Sequence, residues 1–286
     1  LTPLGDPPLF LGFLKGVSFF WTTTHLLPPL LLVGGVLLTA YFLLDTVLYN
    51  REGRPAATSE HVGRLRLLGA RNLLLLLGVV GAVLLSGTWN PGVEFTLFHV
   101  HLELQNIARD MALLALAGYS LWSTPEDIHR RNEFDWAPMA EVAKLFAGIF
   151  LSMIPAIAIL RAGEHGALSG LIALVTHGGS PDPTMYFWLS GALSSFLDNA
   201  PTYLVFFNTA GGDAQPLMDQ VQVLLAISAG SVFMGANSYI GNAPNFMVRS
   251  VAESAGVRMP SFFGYMIWST GILVPCFILT TLVFFR

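Results

Sequence analysis

Long apolar runs dominate the pattern of residues along the chain. A helix needs about 20 residues to cross a hydrocarbon core of about 30 Å. Runs of roughly that length with few charges occur at 26–48, 67–85, 107–122, 142–160 and 262–285. Two more apolar stretches, 185–207 and 221–246, are interrupted by polar and helix-breaking residues. The pattern predicts an all-α polytopic membrane protein in which the interruptions carry the functional information.

Composition supports this prediction and excludes other classes of protein. Of 286 residues, 53% are hydrophobic and 11% are charged, whereas soluble domains carry about 25% charged residues. The net charge of −4 argues against a nucleic-acid partner. The single cysteine, Cys276, excludes a disulfide framework, and the sequence contains no Ser-His-Asp set, Walker-type loop or His-Glu-x-x-His motif. We therefore expect neither an enzyme nor a bound cofactor.

Basic residues in the loops orient the spans, because Lys and Arg stay on the cytoplasmic side. The basic segments at 51–66 and 130–131 are expected inside, and the segments at 87–104 and 164–183, which contain no Lys or Arg, outside. Arg161 is the one exception to this alternation. The arginines before the last span, Arg249 and Arg258, should again be inside. That parity requires the stretch at 185–207 to be a re-entrant hairpin that enters and leaves on the outer face.

The tip of this hairpin is polar and contains a proline, since 195–202 reads Ser-Phe-Leu-Asp-Asn-Ala-Pro-Thr. Irregular backbone at membrane depth is tolerated only where it is packed in protein or lines a water-filled cavity. We therefore interpret the tip as part of a binding site.

Two short segments far apart in the chain share one pattern. Residues 2–10 and 238–246 both read hydroxyl-x-aliphatic-Gly-Asp/Asn-x-Pro-x-Phe, and both lead through a Gly-Val pair and a Phe-Phe pair into a span. The loop charges give the two following spans opposite directions, which indicates an inverted repeat with sites on discontinuous helices. The pattern places the helix breaks at Gly5 with Asp6 and at Gly241 with Asn242. Carbonyls freed there could hold Na+, and the restarting helices could face an anion.

The segments 195–203 and 235–245 resemble signatures of the ion transporter superfamily, which includes NhaD-type Na+/H+ antiporters, citrate and dicarboxylate carriers and arsenite permeases. Residues 135–148 are similar to the branch described as sodium:proton antiporter or putative citrate transporter. The resemblance covers essentially the whole chain and matches the later part of a longer member, so the partner hairpin of the first repeat is expected upstream of residue 1. Many relatives carry Ser-Asn-Thr at the hairpin tip. Here Leu197-Asp198-Asn199 adds a carboxylate, which argues against dicarboxylate binding at the tip.

Asp198 is the first candidate for ion coupling, because a carboxylate inside an apolar segment is costly and usually functional. It could bind Na+ and exchange it for a proton; the alternative is that it only caps a helix. Asn199 and Asn237 are predicted to complete a Na+ site, since amide oxygens suit a hard cation. The other candidates for ion or substrate binding are hydroxyl, amide and carboxylate side chains and glycines at the breaks: Ser195, Thr202, Ser238, Asn242, Gly5, Asp6 and Gly241. For the polar side chains among these, the alternative is local bonding to the backbone.

The sequence thus predicts Na+-coupled secondary transport, with sodium:proton antiport as the main interpretation and transport of citrate or another organic anion as the alternative. The expected partners are membrane lipid and the transported Na+, H+ or small organic anion, and a homodimer is left open. We expect a multi-pass protein of the bacterial inner membrane. Residues 1–25 would end the broken helix of the first repeat, 26–161 would form transmembrane helices with cytoplasmic basic loops, and 162–286 would form the second-repeat hairpin, broken helix and last span.

Overall fold

The computed structural model is mostly helical. It describes residues 2–53, 69–97, 100–132, 169–177, 180–254 and 256–286, together with scattered positions between 136 and 155. The chain divides into two compact units, one formed by 1–55 and 146–286 and the other by 56–145. The described elements are, in chain order, α1 (Pro7–Leu14), α2 (Phe19–Arg51), α3 (Arg71–Thr88), β1 (Glu94–Leu97), β2 (Val100–Glu103), α4 (Leu104–Ser123), α5 (Glu126–Arg131), α6 (Ser169–Val175), β3 (Thr176–His177), β4 (Ser180–Pro181), α7 (Pro183–Phe196), α8 (Asn199–Thr209), α9 (Ala214–Asp219), α10 (Val221–Met234), a 3-10 turn (Gly235–Asn237), α11 (Ala243–Ser254) and α12 (Phe262–Phe284).

Within the described residues, three helices are long and apolar enough to cross a membrane: α2, α3 and α12. Three of the expected spans are therefore confirmed. Helix α2 begins earlier than expected, at Phe19, and continues through Pro28 and Pro29. The run at 107–122 forms the 20-residue helix α4, but the polar side chains near its start lower its hydropathy and it is not among the three. The expected span at 142–160 lies outside the described residues.

The core of the first unit lies where α7, α8 and α10 pack together with α1. Glycines allow α7 and α10 to approach closely. A Cβ added at Gly191 would lie 2.0 Å from the Met234 sulfur, and one added at Gly230 would lie 2.4 Å from the carbonyl oxygen of Phe187. The Phe187 carbonyl is backbone and cannot move aside, so a side chain at Gly230 would push α7 and α10 apart. At Gly191 the neighbour is the end of the flexible Met234 side chain, which can move.

In the second unit, α3 and α4 pack as an antiparallel pair. Near one end, Asn72 Nδ2 donates to Thr124 Oγ1 at 3.0 Å, and in the middle Gly78 lies against Leu116. At the other end, the strands β1 and β2 pair in antiparallel register and connect the two helices.

Two short hairpins, β1–β2 and β3–β4, depart from the expected all-α architecture. Residues 94–97 and 100–103 alternate polar and apolar side chains, a period that suits a strand. Because strand pairing satisfies backbone groups that a loop would leave open, the hairpin closes the connection between the two helices. The prediction of an all-α fold therefore missed the strands in these two loops.

Candidate functional site

The chain breaks between α7 and α8 at Leu197 and Asp198, the predicted hairpin tip. Asp198 is the N-cap of α8, and its Oδ1 accepts a hydrogen bond from Ala200 N at 3.0 Å. The residue is half-buried. Its second oxygen, Oδ2, accepts no hydrogen bond from any described residue. Asp198 therefore caps a helix, which was the alternative to an ion-binding role. Its second carboxylate oxygen is still available to a ligand.

Thr202, one turn into α8, also bonds to the backbone. Its Oγ1 donates to the carbonyl oxygen of Asp198 at 3.0 Å, and its side chain is buried. This is the local bonding that threonine commonly makes in a helix. The hydroxyl oxygen can still accept a hydrogen bond or contact a cation, but its position is set by the helix.

The second break lies between the 3-10 turn and α11, at 238–242. Side chains replace the missing helical hydrogen bonds. Ser238 Oγ accepts a hydrogen bond from Gly241 N at 3.1 Å. Asn245 Nδ2 donates to the carbonyl oxygens of Gly235 and Ser238, at 3.0 and 2.9 Å. The break is therefore a closed, hydrogen-bonded turn rather than a loose loop.

The hairpin tip and the second break are joined directly by hydrogen bonds. Asn237 Nδ2 donates to Ser195 Oγ at 2.9 Å, and Ser195 Oγ lies 3.0 Å from the carbonyl oxygen of Met234, to which it can donate. Ser238 Oγ donates to the carbonyl oxygen of Ser195 at 2.6 Å. All three predicted side chains are buried. Residues that lie more than 40 positions apart in the sequence thus form one polar junction, called the tip–break junction below.

Gly241 lies where two chain segments come closest. A Cβ added there would lie 2.5 Å from the carbonyl oxygen of Gly235 and 2.6 Å from that of Ser194. Real Cβ atoms essentially never come this close, so a larger residue would force the segments apart. The sequence suggested that Gly241 frees the backbone for a break; the structure adds that it lets the break pack against the hairpin tip.

Two buried amide atoms have no hydrogen-bond partner among the described residues: Asn237 Oδ1, in the tip–break junction, and Asn199 Nδ2, at the start of α8. Asn199 is 1% exposed and Asn237 is 9% exposed. Buried polar groups are nearly always paired, and an exception in a native structure needs an explanation. One free atom is an acceptor that can contact a cation, and the other is a donor that can contact an anion.

The first predicted break contributes a second carboxylate. Asp6 is the N-cap of α1, with Oδ2 accepting a hydrogen bond from Leu9 N at 3.4 Å. Helix α1 packs on α8, and the carboxylates of Asp6 and Asp198 are close enough to interact electrostatically. Gly5 lies in a turn just before Asp6. Asn242 is half-buried at the start of α11, where its carbonyl oxygen accepts a hydrogen bond from Asn245 N.

The two segments with the shared sequence pattern also share local structure. In each, a helix starts directly after the Asp or Asn: α1 after Asp6 and α11 after Asn242. Each helix is followed by a glycine with left-handed φ, +100° at Gly16 and +80° at Gly256. Each then leads through a serine N-cap into a long apolar helix, α2 or α12. The order of local structures therefore agrees with the sequence correspondence.

Sequence reasoning missed several side chains that hold the junction together. Ser194 Oγ donates to the carbonyl oxygen of Ser231 at 2.6 Å. On α12, Tyr265 OH donates to the carbonyl oxygen of Ala236 and Ser269 Oγ to that of Asn237. Two weak signals were present in the sequence: the Ser194-Ser195 pair, and an asparagine at 245 where the first repeat segment has Leu9. Neither signal names a partner, because the partners come from other helices.

No group of three or more His, Cys, Asp or Glu side chains that could hold a metal occurs among the residues described. A site for a resident metal ion thus has no support in that part of the chain.

Comparison with known proteins gives one finding. A family model described as "putative citrate transport" matches residues 1–285. No curated protein and no solved structure matches the chain.

Proposed function

Because the chain belongs to the putative citrate transport family, we propose that it is a Na+-coupled secondary carrier of citrate or a related organic anion. The observation that supports this proposal best is the tip–break junction, in which Ser195 and Asn237 bond across two chain interruptions while the buried Asn237 Oδ1 stays unpaired. Interrupted helices that meet inside an apolar bundle are the usual place for substrate and ion sites in transporters.

The coupling ion is proposed to bind next to Asp198. The free Asp198 oxygen and Asn237 Oδ1 are hard oxygen ligands of the kind that Na+ accepts. Asn199 follows Asp198 in the chain and would add its amide oxygen. A cation held by these residues would neutralise the Asp198 carboxylate, and the unpaired Asn237 oxygen would gain a partner.

The organic anion is proposed to bind at the restarting helices. The N-termini of α8 and α11 follow directly on the two interruptions, and helix N-termini favour negative charge. The unpaired Asn199 Nδ2 adds a hydrogen-bond donor. The remaining candidates would shape the site, and only Asp6 among them is charged. They are Ser195, Thr202, Ser238, Asn242, Gly5, Asp6 and Gly241.

Sodium:proton antiport is a second candidate, and one observation favours it. Asp6 caps α1, which packs on α8, and its carboxylate interacts electrostatically with that of Asp198. Their combined negative charge repels a bare carboxylate substrate and attracts a cation or a proton. For citrate to bind beside both carboxylates, a cation must be present, which is why the proposed carrier is Na+-coupled.

Two assays on vesicles that contain the full-length protein separate these functions. Uptake of labelled citrate that rises with an inward Na+ gradient supports the carrier. A Na+-dependent change of a pre-formed pH gradient without added citrate, and no citrate uptake, supports the antiporter. Vesicles from cells that lack the protein are the control. Absence of both activities would contradict secondary transport of either kind.

A further inference from the structure

The second break contains a pair of stacked tyrosines. Tyr239, inside the break, is 3% exposed, and its ring stacks on that of Tyr265 from α12, with the ring centroids 4.3 Å apart. Both hydroxyls are fixed: Tyr239 OH donates to the carbonyl oxygen of Pro260 at 3.2 Å, and Tyr265 OH to that of Ala236 at 2.9 Å. The Tyr239 ring therefore has a set position in the break.

The guanidinium of Arg249 lies over the Tyr239 ring. Its central carbon, Cζ, is 4.7 Å from the ring centroid, which is within the range of a cation–π contact. Since the stacked Tyr265 ring leaves no room on one face, the guanidinium covers the other. Arg249 belongs to α11, and long side chains of a helix point back toward its N-terminus. The fold thus returns a positive charge to the break, although Arg249 is seven residues beyond Asn242.

Most donors of this guanidinium are unpaired. Nε donates to Glu253 Oε1 at 3.0 Å, whereas Nη1 and Nη2 make no hydrogen bond to a residue that the structure describes. The side chains of Arg249 and Glu253 are 29% and 45% exposed, so solvent weakens this i, i+4 ion pair. The N–H groups of Nη1 and Nη2 remain for a ligand, and their planar fork matches the two oxygens of a carboxylate.

The two segments with the shared sequence pattern differ in charge. In the alignment of 2–10 with 238–246, Asp6 corresponds to Asn242. Extended by three residues without a gap, the alignment matches Phe13 with Arg249. At these positions the first segment has a carboxylate and no arginine, and the second has an arginine and no carboxylate. The first break is therefore suited to a cation and the second to an anion.

We propose that Arg249, held on the Tyr239 ring, binds one carboxylate of the transported anion at the second break. The inference rests on the proposed function and adds a full positive charge to a site that otherwise offers helix N-termini and an amide. Tyr239 would fix the plane of the guanidinium, and Glu253 would compete with the anion for it. Lysine at position 249 would supply the charge without the planar fork.

Labelled-citrate uptake at saturating Na+ tests the proposal, with the purified full-length protein in phosphatidylcholine proteoliposomes, in which no anionic lipid competes for the guanidinium. Arg249→Gln is expected to raise KM for citrate at least about tenfold, through the loss of a hydrogen bond between charged groups. The Na+ concentration for half-maximal uptake, measured at saturating citrate, should stay unchanged. Arg249→Lys should give a KM between those of Arg249→Gln and the parent.

Two further variants separate anion binding from a purely structural ion pair. Glu253→Gln removes the partner of Arg249 and should not raise KM, because it also removes a competitor of the anion. Arg258→Gln, which removes an exposed arginine beyond the end of α11, should transport like the parent. Melting temperatures in detergent show whether each variant is folded, and Arg249→Lys takes the place of Arg249→Gln if the latter is not.

An unchanged KM in Arg249→Gln would overturn the inference and leave the proposed function standing. Equal rises of KM in Arg249→Gln and Glu253→Gln would also overturn it, since Arg249 would then serve only the ion pair. If the parent takes up no citrate, the proposed function is contradicted, and equilibrium binding decides the inference. Citrate should then raise the melting temperature of the parent more than that of Arg249→Gln. Equal shifts, or no shift in the parent, would overturn the inference.

Discussion

Asp198 combines two roles that a single residue can fill at once. One carboxylate oxygen caps α8 through Ala200 N, and the other makes no hydrogen bond to a described residue. Asparagine caps helices as well as aspartate does, so an exchange of the two separates the charge from the cap. The same hairpin offers a matched control: Asp182 caps α7 by accepting hydrogen bonds from Thr184 N and Met185 N at 2.9 and 3.3 Å.

We predict that Asp198→Asn folds and inserts but needs a higher Na+ concentration for transport, because the side chain keeps its shape and no longer carries a charge. Losing one charged ligand should weaken Na+ at least about tenfold. The Na+ concentration that gives half-maximal citrate uptake measures this effect. Asp182→Asn should transport like the parent. If both variants behave alike, Asp198 is a cap only.

We also predict that Asn237→Ala weakens Na+ binding and that Asn245→Ala does not. Asn237 has an unpaired oxygen to offer the ion as well as its bond to Ser195. By contrast, the two hydrogen bonds of the Asn245 amide, to the carbonyl oxygens of Gly235 and Ser238, close the turn itself. Both variants should lose stability by about 1–3 kcal/mol, since each leaves a buried group unpaired. Only Asn237→Ala should raise the Na+ requirement, measured as above. Equal Na+ curves for the two variants would remove Asn237 from the ion site.

Single residues were predictable where polarity stood out against an apolar background. Ser195, Asp198 and Asn237 are polar residues in apolar segments, and the structure joins Ser195 and Asn237 directly. Ser194 and Asn245 escaped prediction because a sequence shows the polar group and hides its partner. For the same reason the sequence could not reveal which amide atoms stay unpaired.

At the scale of elements, the interruptions are the best-predicted feature. The predicted breaks at the hairpin tip and at Gly241 with Asn242 coincide with the ends of α7 and α10 and the starts of α8 and α11. Element bounds were less predictable. Helix α2 runs through Pro28 and Pro29, although proline usually breaks a helix interior. The short hairpins were missed because their strands are only two to four residues long.

The glycines of the two breaks should respond differently to the same substitution. Gly241→Ala would place a Cβ 2.5 Å from the carbonyl oxygen of Gly235, whereas a Cβ at Gly5 would meet nothing within 4 Å. We predict that Gly241→Ala destabilises the protein by about 1–3 kcal/mol, as overpacking does, and that Gly5→Ala is neutral. Thermal unfolding in detergent measures both. Equal melting temperatures would show that the junction can relax.

At the scale of the whole molecule, the path of the chain across the membrane gives a prediction for cysteine labelling. The hairpin of α7 and α8 is proposed to be re-entrant, which places the segment after α8 outside and Arg258 inside. In a background with Cys276→Ser, a cysteine at Gln215 should react with an impermeant reagent from outside, and one at Arg258 from inside. Gly211 and Gly212 lie in the same segment, but their left-handed φ values of +119° and +80° would strain a cysteine. Gln215 is therefore the better position for labelling. Labelling of Gln215 from inside would contradict the re-entrant hairpin.

The central claim is that two interrupted helices meet to form the site of a Na+-coupled anion carrier. The measurement that tests it most directly is labelled-citrate uptake into proteoliposomes containing the purified full-length protein, with and without an inward Na+ gradient. We predict citrate accumulation that requires the gradient and that Asp198→Asn lowers at the same Na+ concentration. Citrate uptake that is the same with and without the Na+ gradient would contradict this prediction. So would the absence of citrate uptake in proteoliposomes whose Na+ gradient the protein dissipates by exchanging Na+ for protons.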